Sequence, residues 1–438
     1  MLSALFVNTS CDKIFGNLDT SVVDSYLKLD KTTVTLTPGA TDKIAPSTIS
    51  DGTITYSSSD EKIATVDANG NITAGVKSGE ATITARLAES GSYAAGNASC
   101  TVKVFIETGE QFKADLDAKQ NDDAITIYLA EGAAINMTST IKPTKDCVIK
   151  GSESKPATMT VTRNFEVSKS LALENINIDA SGNTDKSLIK MVKPAVADLL
   201  PNQTTFYGIN NMTFKNTEIT GIKGNLFYDN GVEYCVLDFT IDNSIIKFAT
   251  VPNPDKPADP LANGAALIHF GKGGIKDLTV KNSTITGSPV NSIRFIRYAS
   301  GDAQLEKFGF TGENDTWSMT YTNNTFYNVV DNQWANYNSV ATKAAKMIVT
   351  IKDNIWVDCT KDVIRRLFQG KKFTDFKDGS EMSNNTIYAA GAIQSQSSYS
   401  NGTELTTDPA FKDVTKEDFT PTGADQVAKK TGDPRWFK

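Results

Sequence analysis

The sequence predicts an all-β chain: a small N-terminal β-sandwich, then a right-handed parallel β-helix with a short helix capping its start. Three observations carry this prediction. Short strand patterns bounded by turn residues recur at regular spacing between residues 28 and 105. A brief helical period follows, in which Phe112 and Leu116 stand four apart among polar residues. After it, an Asn followed by a short apolar or β-branched run keeps returning, at Asn175, Asn216, Asn243, Asn282, Asn324, Asn354 and Asn385.

The composition bounds the rest. A chain of 438 residues is too long for one ordinary core, so two or more units are expected. With 39% hydrophobic and 22% charged residues it reads as a folded chain. A net charge of −7, with no basic stretch, argues against nucleic acid as a partner. The single histidine, His269, excludes a multi-histidine metal site.

The N-terminus carries an apolar run, Leu2–Val7, which ends in Asn8-Thr9-Ser10-Cys11-Asp12-Lys13. The run is far too short to span a bilayer. It resembles the tail of a lipoprotein signal peptide whose true start lies upstream, with Cys11 as the lipidated residue. Residues 1–11 are then a signal remnant and 12–27 a tether. A lipid on Cys11 would hold the protein to an outer membrane or cell surface with nothing spanning it. Cys100, Cys147, Cys235 and Cys359 form no CxxC, and Cys147 and Cys235 sit in apolar β runs. Free and buried thiols are therefore expected rather than bridges.

Residues 28–105 hold strand candidates at Thr33–Leu36, Ile54–Ser57, Ala64–Val66, Asn71–Ala74, Ala81–Arg86 and Ala98–Phe105. Asn69-Gly70 reads as a type I′ hairpin, and Val66, Ile72 and Ile83 as inward-facing. The stretch Ile54–Asp67, then Asn69–Ala74, then Gly79–Ala85, resembles the bacterial Ig-like group 2 domain. Tyr56 stands where that family usually has Trp and still supplies a core aromatic. The resemblance implies a spacer or adhesion module with no enzyme activity.

Residues 106–438 are assigned to the β-helix. Glu107–Gln120 is a one-sided helix, followed by Ile125–Gly132 and Cys147–Gly151, two strands ending in Gly. A helix before two such strands resembles the start of pectate-lyase-like right-handed β-helices, where it hides an open sheet edge. The recurring Asn residues are separated by 41, 27, 39, 42, 30 and 31 positions, which fits coils with loop insertions. Stacked coils place each Asn at one tight turn, where it tolerates the left-handed region and forms a hydrogen-bonded ladder. Insertions fall at Lys193–Phe206, Val251–Asn263 and Asp331–Lys343. Asp408–Asp413, through Asp418-Phe419 to Gly432–Trp436, resembles the closing segment of an uncharacterised family of β-helix proteins found among exported proteins of polysaccharide use.

Stacked parallel strands suit long polysaccharides, but the chemistry must come from a site. Polygalacturonase-like enzymes show Asn-Thr-Asp, Asp-Asp and His-Gly motifs. Here Asn-Thr precedes Glu218, Phe326 or Ile387, and Phe270 follows His269, so hydrolysis is not expected. A lyase needs Ca²⁺ or Arg to neutralise a uronate carboxylate, and a base to take the neighbouring proton. Arg294 and Arg366 each lie 12 positions after an Asn of the repeat, and the same offset from Asn216 gives Tyr228. Lys190 lies in a comparable strand. A column of Lys190, Tyr228, Arg294 and Arg365 or Arg366, with Arg297 nearby, would line one external sheet and bind an anionic sugar. Arg294 and Arg365 are the catalytic candidates. The alternative is that these arginines are ordinary paired surface charges.

Trp334 and Tyr337, in the polar run Asp331–Asn338, either stack on sugar rings or pack back onto the coil beneath. The turn Gly271-Lys272-Gly273-Gly274 lacks the spacing of a phosphate loop. No metal site and no cofactor is expected, Ca²⁺ entering only with a lyase. The leading expectation is a surface lipoprotein that binds a polysaccharide, with a uronate lyase and an adhesin or structural surface protein as alternatives.

Overall fold

The computed structural model of the protein describes residues 22–194, 199–200, 203–249, 266–287, 294–298, 308–310, 314–329, 333–336, 344–359, 372–388 and 404–437. Two compact units result: Met1–Gly75 with Glu80–Val104, and Val76–Gly79 with Phe105–Lys438. No helix among the described residues is long and apolar enough to cross a membrane.

The first unit is a two-sheet sandwich of the immunoglobulin kind. One sheet pairs Thr33–Leu36, Gly96–Val104, Gly79–Leu87 and Ile54–Ser58 in that order, and the other pairs Thr41–Lys43, Asn71–Ala74 and Ala64–Val66. Alternate residues point inward, so Val34, Ile72, Ile83, Cys100 and Val102 form a buried core, with Tyr56 and Val66 packed against it. The hairpin at Asn69-Gly70 is not type I′. Only Gly70 has positive φ, at 76°, while the Asp67 carboxylate accepts the Asn69 and Asn71 N–H groups at 2.8 and 2.9 Å. A type I turn closed by a left-handed Gly satisfies the same hairpin, and the Asp67 side chain selects it.

The second unit is a parallel β-helix. Helix α1 (Gly109–Lys119) opens it, with a capping box between Thr108 and Gln111, and buries Phe112, Asp115, Leu116 and Lys119 on one face. Among the described residues three all-parallel sheets follow. Sheet I stacks nine strands from Ile125–Tyr128 to Glu381–Ser383, and sheet II nine from Ala134–Met137 to Thr386–Tyr388. Sheet III stacks six, from Phe165–Val167 to Gln333–Asn336. Parallel crossovers of this kind are right-handed almost without exception. The core is made of inward rows. In sheet II, Ile135, Met159, Ile178, Ile219, Ile246, Ile285, Phe326 and Trp356 lie in consecutive register, and all are buried. Cys100, Cys147 and Cys235 are free and buried, and Cys359 is half-buried, its Sγ donating to the Phe326 and Val357 carbonyls at 3.7 and 3.5 Å. Burial pushes the Cys147 thiol up to about 12, so it stays protonated.

The Asn repeat forms two ladders rather than one. Asn175, Asn216, Asn243 and Asn282 occupy the left-handed turn as expected, with φ of 54°, 52°, 47° and 50°. In the next coils that turn is taken by Asn323, Asp353 and Asn384, so Asn324, Asn354 and Asn385 stand one residue later. They fill the buried slot that Thr217, Ser244 and Ser283 fill in earlier coils. Asn354 Nδ2 donates to the Tyr321 carbonyl at 2.7 Å and to Asn385 Oδ1 at 3.0 Å, and its Oδ1 accepts from Asn324. Ser or Thr satisfies this slot with one hydroxyl, whereas Asn reaches both neighbouring coils.

Residues 404–437 fold back along the outer face of sheet II as a strap. The Gly432 N–H donates to the Asp353 carbonyl at 2.7 Å, and Thr284 Oγ1 donates to Asp433 at 2.7 Å while accepting from Trp436 Nε1 at 2.8 Å. Lys247 pairs with Glu417 at 2.6 Å. Beneath the strap the outward-pointing Thr284, Thr325, Ile355 and Thr386 are buried. An outward Ile in a solenoid strand is thereby explained.

Candidate functional site

Sheet III carries the candidate site. Its strands alternate, so Ile189, Phe227, Ile268 and Ile296 point into the core and the residue after each points out. The register runs Glu166–Lys190, Lys190–Tyr228, Tyr228–His269 and His269–Arg297. These residues form one outward column. At a strand spacing of roughly 4.8 Å, Lys190 to Arg297 spans about 14 Å. The Tyr228 and His269 rings lie 5.1 Å apart at 34°. All four side chains are half-buried, which leaves one face of each to solvent.

Charge is graded along the column. At one end Glu166 holds Lys190 at 3.1 Å and Lys142 at 2.9 Å, and both lysines keep its carboxyl below the usual range. At the other end Arg297 follows His269. Burial first, then the Arg297 and Arg294 guanidiniums, lower the His269 imidazole to about 4. The ring is therefore neutral at neutral pH and can accept a proton or a hydrogen bond.

Asp229 fixes this geometry. Its buried carboxylate accepts backbone N–H groups from Gly231 at 3.0 Å, Gly271 at 2.7 Å, Lys272 at 2.9 Å and Gly273 at 2.8 Å. Burial pushes its carboxyl up while these donors pull it down. The glycine turn Gly271–Gly274 is thus an anion nest filled from within the chain. It ties the residue after Tyr228 to the turn after His269.

The sequence-derived column is corrected in two ways. Arg297, not Arg294, shares the row of Lys190 and Tyr228, and Arg294 lies three residues earlier in register with Ala266 and Gln333. His269, which counting from the Asn turns passed over, sits between Tyr228 and Arg297. The offset of 12 from Asn243 lands inside the Val251–Asn263 insertion, so counting skipped that coil. Its signal was nonetheless present, since Ile268-His269-Phe270 has the apolar–polar–apolar form of Ile189-Lys190-Met191. Trp334 is not a loop aromatic. It lies in the strand Gln333–Asn336, fully buried, stacked on Phe295 at 4.7 Å and 5° and edge-on to Phe326 at 4.7 Å. A ring so enclosed is unavailable for sugar stacking. Cys11, Tyr337, Arg365 and Arg366 lie outside the described residues.

Among the described residues no group of three His, Cys, Asp or Glu side chains is placed to hold a metal, and the one carboxylate of the column, Glu166, is taken by two lysines.

Two stretches of the chain match known families. Residues 27–98 match the bacterial Ig-like domain (group 2), and residues 133–288 match a domain of unknown function (DUF4957). No curated protein matches the chain. The C-terminal resemblance noted above falls outside the second match. Ig-like domains of this group occur in bacterial surface or extracellular proteins. The chain therefore carries a bacterial Ig-like group 2 domain at its N-terminal end, followed by a parallel β-helix similar over residues 133–288 to a domain of unknown function.

Proposed function

We propose that the β-helix binds an anionic polysaccharide along the sheet III column, as part of a glycan-capturing surface protein. Acid groups of the glycan meet Lys190 and Arg297, while Tyr228 and His269 offer ring faces between them. The Ig-like domain serves as a spacer, and a lipid on Cys11 as the anchor. One observation carries the reading: residues 38, 41 and 28 positions apart in sequence stand in one outward row. The strand spacing of about 4.8 Å is close to the advance of an extended sugar chain, so successive units can meet successive coils. Calorimetry against polygalacturonate, alginate and neutral xylan tests it. The polyanions bind with a salt-dependent affinity, and Arg297→Ala weakens them about tenfold. Equal binding by Arg297→Ala, or no polyanion binding by the parent, would overturn the assignment.

A second reading, a uronate lyase, has one observation in its favour: His269 stands in one outward row with the Arg297 guanidinium. Arg297 would neutralise the uronate carboxylate. His269 or Tyr228 would take the proton next to it as a C=C bond forms and the glycosidic C–O bond breaks, leaving an unsaturated uronate, and that proton then passes to the departing sugar oxygen. New ultraviolet absorbance in the parent, lost in His269→Gln, would select this reading. Its absence with every uronate glycan tested would leave binding alone.

A further inference from the structure

The strap covers only part of sheet II. The outward row Thr158, Asn177, Glu218, Ile245, Thr284 is continuous in register. Thr284 is buried beneath the strap, whereas Asn177, Glu218 and Ile245 keep solvent access and Thr158 is exposed. At this boundary lies a cavity of about 240 Å³, lined by Asn177, Asn216, Glu218, Asn243 and Ile245 and closed on the strap side by Arg435.

The chemistry of this lining is specific. Its charges are already balanced, since Glu218 pairs with Lys247 at 2.7 Å and Arg435 with Asp433 at 2.6 Å. An ion would find no uncompensated partner here. Among the described residues the Asn177 amide has no hydrogen-bond partner. Asn243 Nδ2 spends one hydrogen on Asn216 Oδ1 and Asn216 Nδ2 one on Asn175 Oδ1, which leaves the second hydrogen of each. Arg435 Nη2 already donates to Asn243 Oδ1 at 3.3 Å and to the Asn282 carbonyl at 3.1 Å, so the wall it forms is held in place. Ile245 adds an apolar patch. Amide donors and acceptors repeating at strand spacing, with an apolar surface and no net charge, suit a ring bearing several hydroxyls and a C–H face.

We propose that this cavity binds a single neutral sugar unit, at a site separate from the cationic column of sheet III. Its volume lies below the roughly 300 Å³ at which pockets for larger ligands begin, which matches one ring and not a chain segment. The rest of an oligosaccharide would run along the open row toward Thr158, the direction the strap already follows over the later coils.

The test is calorimetry of the whole chain with xylohexaose, mannohexaose and cellohexaose at millimolar concentration. At least one binds, Asn177→Phe weakens it by about tenfold or more by filling the cavity, and Arg297→Ala leaves it unchanged. Asn177→Ala, which removes the amide without adding bulk, weakens it to a smaller extent and decides the matter if the Phe variant misfolds. Three results would each overturn the proposal: no neutral hexaose binding the parent, Asn177 variants binding as the parent does, or loss of neutral-sugar binding in Arg297→Ala. Polygalacturonate binding is measured beside these, so failure of the column and failure of this cavity are read separately.

Discussion

Asp229→Ala probes the part of the molecule on which the site depends most. The Asp229 carboxylate is fully buried and accepts four backbone N–H groups, two on each oxygen. Removing it strands four donors, each worth about 1–3 kcal/mol if left unsatisfied. Two effects reduce the sum. Water can enter the space left by the carboxylate, and the burial penalty that pushes its carboxyl up disappears with the charge. A net loss of about 3–5 kcal/mol is expected. Asp229→Asn should lose less, about 2–3 kcal/mol, because one oxygen still accepts two N–H groups while its amide opposes the other two. The assay is urea unfolding followed by tryptophan fluorescence. Trp317, Trp334, Trp356 and Trp436 all belong to the β-helix unit, so the signal is silent to the Ig-like sandwich. The order of midpoints should be parent, Asn variant, Ala variant, with exposed Asp378→Ala as control. If Asp229→Ala unfolds at the midpoint of Asp378→Ala, the nest does not hold the turn and the positioning argument for Tyr228 and His269 fails.

Other consequences can be checked directly. His269 is the only histidine, so one imidazole signal reports it by NMR, and it should titrate near the lowered value of about 4. Because the folded state holds fewer protons than the unfolded one between about pH 4 and 6.5, its contribution is complete above 6.5 and is lost as pH falls through that window. The loss is at most about 3 kcal/mol, and it should vanish from the difference curve of His269→Gln. A polyanionic glycan in the column should move the signal to higher pH, and an unchanged titration would argue against contact. Asn354→Ala should cost about 2–4 kcal/mol in urea unfolding, since it breaks a buried amide bridge between coils, whereas a loss below about 0.5 would dismiss the inner ladder. Trp334→Ala should cost about 3–5 kcal/mol by circular dichroism as a core deletion. Normal stability with reduced glycan binding would instead restore it as a surface platform.

Much of the fold was legible because it rests on local rules. The inward rows follow from period-two alternation, and the capping helix follows from Phe112 and Leu116 four residues apart among polar residues. The Asn turns follow from a residue type that tolerates positive φ. The site was less legible, because its residues lie on coils separated by unequal insertions. Strand positions were counted from the Asn turns, and insertions of unequal length break such counting. Arg294 was thereby placed where Arg297 stands, and His269 was left out. Trp334 misled in another way: its neighbours Asp331, Asn332, Asn336 and Asn338 are polar, so the run reads as a loop, although Trp334 itself is buried within the strand Gln333–Asn336.

The sequence by itself determined that the chain is a sandwich followed by stacked parallel coils, because alternation and turn chemistry act within a few residues. Only the tertiary structure decided which coils stand beside one another and which faces stay open. Lys190, Tyr228, His269 and Arg297 meet through register between coils. Thr284 and Ile355 are covered by a strap from more than 50 residues further along the chain. Register and coverage are set by the packing of distant segments, and no local pattern encodes them.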